Sequence, residues 1–234
     1  YSWEWTYNQV KAFDPASRQL TLKRGELSGI GSNKGSHFYF ENIAEELDQP
    51  GEFYIDRALG KLYFYPTDNF ATSTTVLSTL AQPMVSISGA KYLSFDGLNF
   101  DSGRNLAVKV NKSQHIEITN CSIRNFSLGG VLLDGSDNSV SGCEITNVGG
   151  YGVKVAGGTA AKLSKSSGSS VLDILQQPVA IIGANNIITE NTIYNFAWDQ
   201  KSQIPGISLT GVGNLATYNE IHTAPHFGIL MRNT

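Results

Sequence analysis

The stretch Gly206-Ile207-Ser208-Leu209-Thr210-Gly211 is followed by Asn219-Glu220-Ile221 and then by Gly228-Ile229-Leu230-Met231. A glycine followed by two apolar residues with one position between them therefore occurs twice, and an Asn-x-Ile triplet stands between the copies. The same two patterns run back through most of the chain. With the isoleucine of the triplet as an anchor, the equivalent positions are Phe100, Ile123, Ile145, Ile193 and Ile221.

These anchors are 23, 22, 48 and 28 residues apart, which is a repeat of about 22 residues with insertions. A repeat that tolerates insertions at fixed points is typical of a solenoid. Its short runs of alternating apolar residues favour strands over helices. Three short strands per repeat, joined by tight turns, predict an all-β fold, a right-handed parallel β-helix. We expect this solenoid over residues 81–234.

Residues 1–80 lack the repeat and are rich in aromatic residues. Glu52–Asp56 and Lys61–Tyr65 alternate as strands do and flank a short turn, which predicts a hairpin. Asp14-Pro15-Ala16-Ser17 has the composition of a β-turn between two further short strands. The sequence therefore predicts a small β-rich module before the solenoid.

Charge is sparse, at 16% of residues with a net charge of -3, so no nucleic-acid or anionic-membrane partner is indicated. No apolar run reaches the roughly 20 residues of a membrane span. The chain has no initiating Met and stops at Thr234 within a repeat. We expect a fragment or processed product of a longer protein that is monomeric at full length. The open strand edges of its last coil should make this chain alone prone to aggregation.

Asparagine recurs at fixed places in the repeat. In a parallel solenoid, equal positions lie about 4.8 Å apart, so stacked asparagines can bond to each other and to the turns. We expect turn ladders, with sugar binding as the alternative. The residues are Asn125, Asn147 and Asn195 after the anchors, Asn191 and Asn219 before them, and Asn138, Asn186 and Asn214 further upstream.

Cys121 and Cys143 share one column of neighbouring coils. Their Cβ vectors should run parallel rather than converge, which disfavours a disulfide. We expect stacked buried thiols, with a disulfide or a metal pair as alternatives.

Two insertions interrupt the repeat. Residues 157–184 form a long Ser/Gly/Lys-rich insertion, and residues 196–203 form a shorter one. Long loops on a compact solenoid are often functional, and insertions tend to cluster on the binding face.

Two segments carry a resemblance to a known family. Glu41–Asp56 followed by Gly60–Pro66 resembles the module that precedes the β-helix in many secreted bacterial carbohydrate-active proteins. Asn214–Ile229 resembles a recurrent coil of the same proteins. These are the right-handed parallel β-helix glycoside hydrolases of the fucosidase/xylanase type (glycoside hydrolase family 141), within the pectate-lyase-like superfamily. The resemblance covers nearly the whole chain. It implies an extracytoplasmic protein, a polysaccharide or oligosaccharide substrate, and an acidic pair on further coils.

One candidate site is the outer face of the Gly-apolar-x-apolar strands. Because side chains alternate in and out, the outward positions on consecutive coils should include Lys109, Asp134 and Lys154, with Arg232 on the last coil. They would form a polar strip that binds substrate, with Asp134 as a catalytic candidate. The alternative is a solvated face whose ion pairs contribute little.

A second candidate cluster lies in the shorter insertion. Trp198 can stack on a sugar face, Lys201 can bind substrate, and Asp199 can act as acid or base. His226 lies in the equivalent loop one coil later and is a candidate proton carrier near Asp199. The alternatives are a loop packed on the solenoid and a surface histidine. His222 and Glu220 should point away from this groove.

Three functions follow from these candidates. A glycoside hydrolase needs two carboxyl groups at a defined separation. Asp134 and Asp199 should be roughly 10–15 Å apart at about 4.8 Å per coil, so we expect no complete dyad in this chain. A polysaccharide lyase would use Lys109, Lys154, His226 or Arg232, with calcium as a possible cofactor; otherwise no cofactor is expected. A non-catalytic carbohydrate-binding solenoid needs only the groove and the aromatic residue.

Overall fold

The structure of the chain is a computed structural model that describes residues 7–25, 38–160, 181–199 and 201–232. The chain divides into two units, residues 1–77 and 78–234. The boundary expected from the sequence lies three residues beyond this division.

The first unit contains two antiparallel hairpins. Strand β1 (Val10–Asp14) pairs with β2 (Gln19–Leu22), and β3 (Phe53–Asp56) pairs with β4 (Lys61–Phe64). Short 3₁₀ turns lie at Ala44–Glu46 and Phe70–Thr72. In the turn between β1 and β2, the Asp14 carboxylate accepts a hydrogen bond from the Ala16 N–H at 2.9 Å, as expected of an Asx turn. Both predicted hairpins are confirmed.

The second unit is built from short parallel strands. In chain order they are β5 (Val85–Ser88), β6 (Lys91–Asp96), β7 (Asn99–Gly103), β8 (Leu106–Thr119), β9 (Ser122–Phe126), β10 (Gly129–Ser136), β11 (Ser139–Ser141), β12 (Glu144–Val148), β13 (Tyr151–Gly157), β14 (Thr159–Ala160), β15 (Ile181–Ile182), β16 (Ile187–Thr189), β17 (Thr192–Phe196), β18 (Pro205–Gly211), β19 (Leu215–Thr217), β20 (Glu220–His222) and β21 (Phe227–Arg232).

These strands form three faces. Face A contains β5, the first half of β8, β10, β13, β18 and β21. Face B contains β6, the second half of β8, β11, β16 and β19. Face C contains β7, β9, β12, β17 and β20. Each passage A–B–C is one coil, and every neighbour within a face is parallel. The predicted right-handed parallel β-helix is confirmed, with the handedness usual for parallel crossovers.

The core follows the predicted columns. Val108, Val131, Val153 and Ile207 are neighbours in register on face A, and all four are fully buried. Because each coil supplies one apolar side chain to the column, the interior is a continuous stack. The repeat also predicts that the apolar pair Ile229 and Met231 of the last strand lies in the core, and this prediction is wrong. They are 48% and 75% exposed, because β21 pairs only with β18 and no described coil covers its other side.

Interior asparagines form the predicted ladders at two corners. Between faces A and B, Asn138 Nδ2 donates to Asn186 Oδ1 at 3.0 Å, and Asn186 Nδ2 donates to Asn214 Oδ1 at 2.9 Å. Between faces B and C, Asn191 Nδ2 donates to Asn219 Oδ1 at 2.9 Å. Each side chain also binds backbone groups of the preceding coil, so the ladders satisfy polar groups that the turns would leave buried.

The two cysteines continue the second ladder as free thiols. Both are buried, as predicted. The Cys121 N–H donates to Cys143 Sγ at 3.4 Å, and the Cys143 N–H donates to Asn191 Oδ1 at 2.9 Å. The Cys143 thiol lies 3.4 Å from the Ser141 carbonyl oxygen. Burial raises the pKa of Cys143 to about 11. Sulfur therefore takes the place of an asparagine side chain in this column.

We expect Cys143→Asn to keep or raise the free energy of unfolding, because its Oδ1 can accept from Cys121 and its Nδ2 can donate to a carbonyl of the preceding coil. Cys143→Ala should cost about 1–3 kcal/mol, because the buried Cys121 N–H loses its acceptor. Urea denaturation of both variants under reducing conditions measures the difference. Equal stability of the two variants would show that the thiol is only a space-filling group.

In the part of the chain that the structure describes, no helix is long and apolar enough to cross a membrane. The longer predicted insertion leaves the solenoid between faces A and B, where β14 and β15 form an antiparallel stem. Residues 161–180 of this insertion lie outside the described residues.

Candidate functional site

The outward column of face A has the predicted register. Lys109 is the neighbour of Leu132, and Leu132 is the neighbour of Lys154. The two lysines are exposed and are separated by an apolar residue at about 4.8 Å per strand. Lys154 Nζ lies 5.9 Å from the centre of the Tyr151 ring, on its own strand.

Asp134 does not join these lysines into a network. It follows Leu132 by two residues and is the neighbour of Ala156. Among the described residues, its carboxylate makes no hydrogen bond or ion pair with Lys109 or Lys154. Arg232, on β21, is exposed and is the neighbour of Thr210 on β18. The strip proposed from the sequence is thus a set of separate charges.

The shorter insertion is held from both sides. The Ala197 N–H donates to the Gly150 carbonyl at 2.9 Å, and the Asp199 N–H donates to the Gly149 carbonyl at 3.3 Å. On the other side, the Gln203 N–H donates to His226 Nδ1 at 3.1 Å. These bonds link the loop to the turns of the coils before and after it, so its position is fixed by the solenoid.

Asp199 and His226 are therefore engaged with different coils. His226 uses Nδ1 as an acceptor and packs on the Phe227 ring, with 3.8 Å between ring centres. No hydrogen bond or ion pair between described residues joins its imidazole to Asp199. The two groups are thus not directly bonded, and their approach stays a prediction. Asp199 is exposed beside Trp198, and its carboxylate is open to a ligand.

A groove of about 800 Å³ lies under this loop, at the corner between face C and the following strand of face A. We call it the corner groove. A volume of this size suits a ligand of several ring units. Trp198 and Lys201 are the two sequence-predicted residues that line it. The complete lining consists of Asn125, Phe126, Ser127, Asn147, Asn195, Phe196, Ala197, Trp198, Lys201, Thr223, Ala224 and Pro225.

Left-handed turn residues form one wall of the corner groove. Asn125, Asn147, Asn195 and Thr223 occupy equal positions on successive coils and have φ values of 64°, 51°, 50° and 51°. Asparagine tolerates this conformation better than most residues, which explains its recurrence here. The side chains of this column point out of the solenoid, whereas those of the interior ladders point in.

The asparagine side chains of this wall differ in their hydrogen bonding. Asn125 Nδ2 donates to Asp101 Oδ1 at 2.9 Å. The side chains of Asn147 and Asn195 make no hydrogen bond to any described residue. Together with the indole of Trp198, which is 53% exposed, they offer a ligand two free amides and one aromatic surface. No carboxylate among the described residues lines the groove.

The repeat places Asn125, Asn147 and Asn195 correctly in one column. The favoured interpretation of this column as a bonded turn ladder is wrong, because Asn147 and Asn195 make no hydrogen bond to any described residue, and the alternative of sugar binding stays a prediction. The available signal was their position two residues after an inward anchor, on the same corner as the shorter insertion. Phe126 and Phe196, which lie beneath the groove, were also not singled out.

A separate polar cluster lies on the outer surface of face C. The Tyr194 hydroxyl donates to Glu144 Oε1 at 2.7 Å, and the bond to this carboxylate raises the pKa of Tyr194. The Tyr194 ring stacks on His222, with 5.0 Å between ring centres and 9° between planes. His222 and Glu220 belong to this face, as predicted, and not to the corner groove.

No cluster of three or more His, Cys, Asp or Glu side chains that could hold a metal ion occurs in the described residues. The amides and the aromatic ring of the corner groove make it suited to hydrogen-bonding a polar ligand and to stacking on it.

Comparison with known proteins gives one finding. No curated protein and no solved structure matches the chain. Residues 83–234, which are more than half of the chain, match the family model described as a right handed beta helix region. The matched region begins just before β5 and contains all three faces and the corner groove. The chain therefore belongs to the right-handed β-helix family.

Proposed function

We propose that this chain is part of a carbohydrate-active enzyme, most simply a glycoside hydrolase, that binds a polysaccharide or oligosaccharide in the corner groove. The observation that carries the proposal is the combination of an exposed Trp198 with the free amides of Asn147 and Asn195 in one groove. Sugars present both apolar ring faces and hydroxyl groups, and this lining offers a partner for each.

Two further points support the proposal. β-Helix domains are common in carbohydrate-active enzymes, and the N-terminal segments resemble the fucosidase/xylanase type. Asp199 is the carboxylate next to Trp198 in the loop over the groove, and we assign it the role of acid or base. Asp199 itself is not part of the groove lining, and its partner carboxyl group would also come from elsewhere. Such an enzyme would act outside the cytoplasm, where polysaccharides are encountered.

A lyase is the second candidate, because Lys109 and Lys154 are exposed in one column of face A.

Incubation with neutral and uronic-acid polysaccharides separates the three functions. Hydrolysis gives new reducing ends without unsaturation, and β-elimination gives an unsaturated product that absorbs in the ultraviolet. Binding without any product would leave a carbohydrate-binding solenoid, and the absence of binding would refute the proposal.

Trp198→Ala is expected to weaken binding of the saccharide by about tenfold, because it removes an aromatic stacking surface. Tyr218→Ala is the matched control. Tyr218 is 87% exposed at the corner between faces B and C, away from the groove, so its loss should leave the affinity unchanged. Titration calorimetry with one oligosaccharide measures both variants. Equal affinities of the two variants would exclude Trp198 from the site.

A further inference from the structure

The side chain of Asn125, at one end of the corner groove, is held by a carboxylate that the groove itself does not contain. Asp101 lies one coil earlier, on β7, and its Oδ1 accepts from Asn125 Nδ2 at 2.9 Å. The same Oδ1 accepts from Ser102 Oγ at 2.7 Å. Its Oδ2 accepts from Arg124 Nε at 2.7 Å. Three donors from two coils thus converge on one carboxylate.

This arrangement fixes the direction of the Asn125 amide. An ionised carboxylate only accepts hydrogen bonds, so the NH₂ group of Asn125 must face Asp101. The hydrogen bonds from Asn125, Ser102 and Arg124, in that order, hold the pKa of Asp101 below its ordinary value. The carboxylate is therefore ionised at neutral pH. Asn125 Oδ1 is left without a partner among the described residues.

The equivalent amides on the next coils have no such constraint. Asn147 and Asn195 lack a hydrogen-bond partner in the described structure, so each can present either its carbonyl oxygen or its NH₂ group to a ligand. The groove thus has one fixed acceptor, Asn125 Oδ1, two adaptable amides, and the Lys201 side chain. At the Asn125 end of the groove, a sugar hydroxyl can donate to the fixed acceptor, whereas a uronate carboxylate placed there would face its lone pairs.

We propose that Asp101 is a positioning residue, an inference that rests on the proposed function. By orienting Asn125, it makes the corner groove prefer neutral, hydroxyl-rich saccharides over uronic-acid saccharides of the same length. Asp101 acts through Asn125 and does not itself line the groove.

The test is a double-mutant cycle on the complete chain. Asp101→Asn keeps the size of the side chain but introduces an NH₂ group that can also donate. The amide of Asn125 can then flip, so that its Oδ1 faces residue 101. We expect affinity for a neutral oligosaccharide to fall about five- to tenfold, and the neutral-to-uronate affinity ratio to shrink. Asn125→Gly suits the left-handed backbone at this position and should give a similar loss. Adding Asp101→Asn to Asn125→Gly should cause no further loss.

Arg124→Gln is the matched control, because it removes the ion pair to Asp101 but leaves the carboxylate that orients Asn125. An exposed ion pair contributes little, so affinity should stay within about twofold of the original. Titration calorimetry with neutral and uronic-acid oligosaccharides of equal length gives the two affinities of each protein and their ratio. Circular dichroism checks that each variant is folded.

The outcomes separate this inference from the proposed function. Tighter binding of uronates by the original chain would overturn the neutral preference while leaving a carbohydrate-binding groove. Additive losses in the double variant, or an unchanged ratio in Asp101→Asn, would show that Asp101 does not act through Asn125. Binding of neither saccharide class would overturn the proposed function and this inference with it.

Discussion

Asn186→Ala is expected to lower the free energy of unfolding by about 3–4 kcal/mol, because several buried polar groups lose their partner at once. Asn186 is fully buried. Its Oδ1 accepts from the backbone N–H and from Nδ2 of Asn138, both at 3.0 Å. Its Nδ2 donates to the Gly135 carbonyl at 3.0 Å and to Asn214 Oδ1 at 2.9 Å. Alanine offers none of these four hydrogen bonds.

The neighbouring Asn185 provides a control of the same residue type. It is exposed, has a φ of 54° and makes one side-chain hydrogen bond, to Asp137 Oδ1 at 3.2 Å. Asn185→Gly suits this backbone and should change stability by less than about 1 kcal/mol. Urea denaturation with equal m-values measures both variants. If Asn186→Ala costs no more than Asn185→Gly, the ladder is not a major source of stability.

Much of the fold could be predicted because the repeat encodes register directly. Side chains alternate along each strand, so one anchor per coil determines which residues face inward on the whole coil. The spacing places Lys109 and Lys154 on one outward face, and both occupy one column of face A, on either side of Leu132. The insertion at residues 157–184, which widens the spacing between Ile145 and Ile193 to 48 residues, does not disturb this, because β12 and β17 still pair in register.

The corner groove was harder to predict, because it depends on contacts between coils. Asn147 and Asn186 are both asparagines of tight turns, yet one is exposed at the groove and the other is buried in a ladder. The repeat gives their column but not the direction of each side chain. The loop over the groove is held by the backbone N–H groups of Ala197, Asp199 and Gln203, which donate to two carbonyl oxygens and one imidazole of other coils. These bonds have no signature in sequence. Loop equivalence predicts that Asp199 and His226 approach each other, but it does not predict that His226 Nδ1 accepts from Gln203.

Phe126→Ala is expected to lower the free energy of unfolding by about 3–5 kcal/mol, the usual cost of deleting a buried aromatic ring. Phe126 is fully buried on face C and also lies beneath the corner groove. The same variant should therefore weaken saccharide binding, because the wall formed by Asn125 loses its support. Urea denaturation and titration calorimetry measure the two effects.

Gly103 packs directly against the ring of Phe126. It is the neighbour of Phe126 in register, and a Cβ added to Gly103 would lie 2.4 Å from Phe126 Cε1. Glycine at this position therefore leaves room for the ring. Gly103→Ala alone should cost about 1–3 kcal/mol through overpacking. In the Phe126→Ala background the added methyl group enters the vacated space, so the same substitution should cost nothing or stabilise the protein.

The two substitutions should thus be coupled by about 1–3 kcal/mol. Gly103→Ala combined with Ile188→Ala is the control pair. Ile188 is also fully buried, but it lies on face B three coils later, roughly 14 Å away along the stack at about 4.8 Å per coil. These two effects should add, because sites this far apart share no partner. Coupling in the control pair, or additivity between Gly103 and Phe126, would contradict the packing of the Phe126 ring against Gly103.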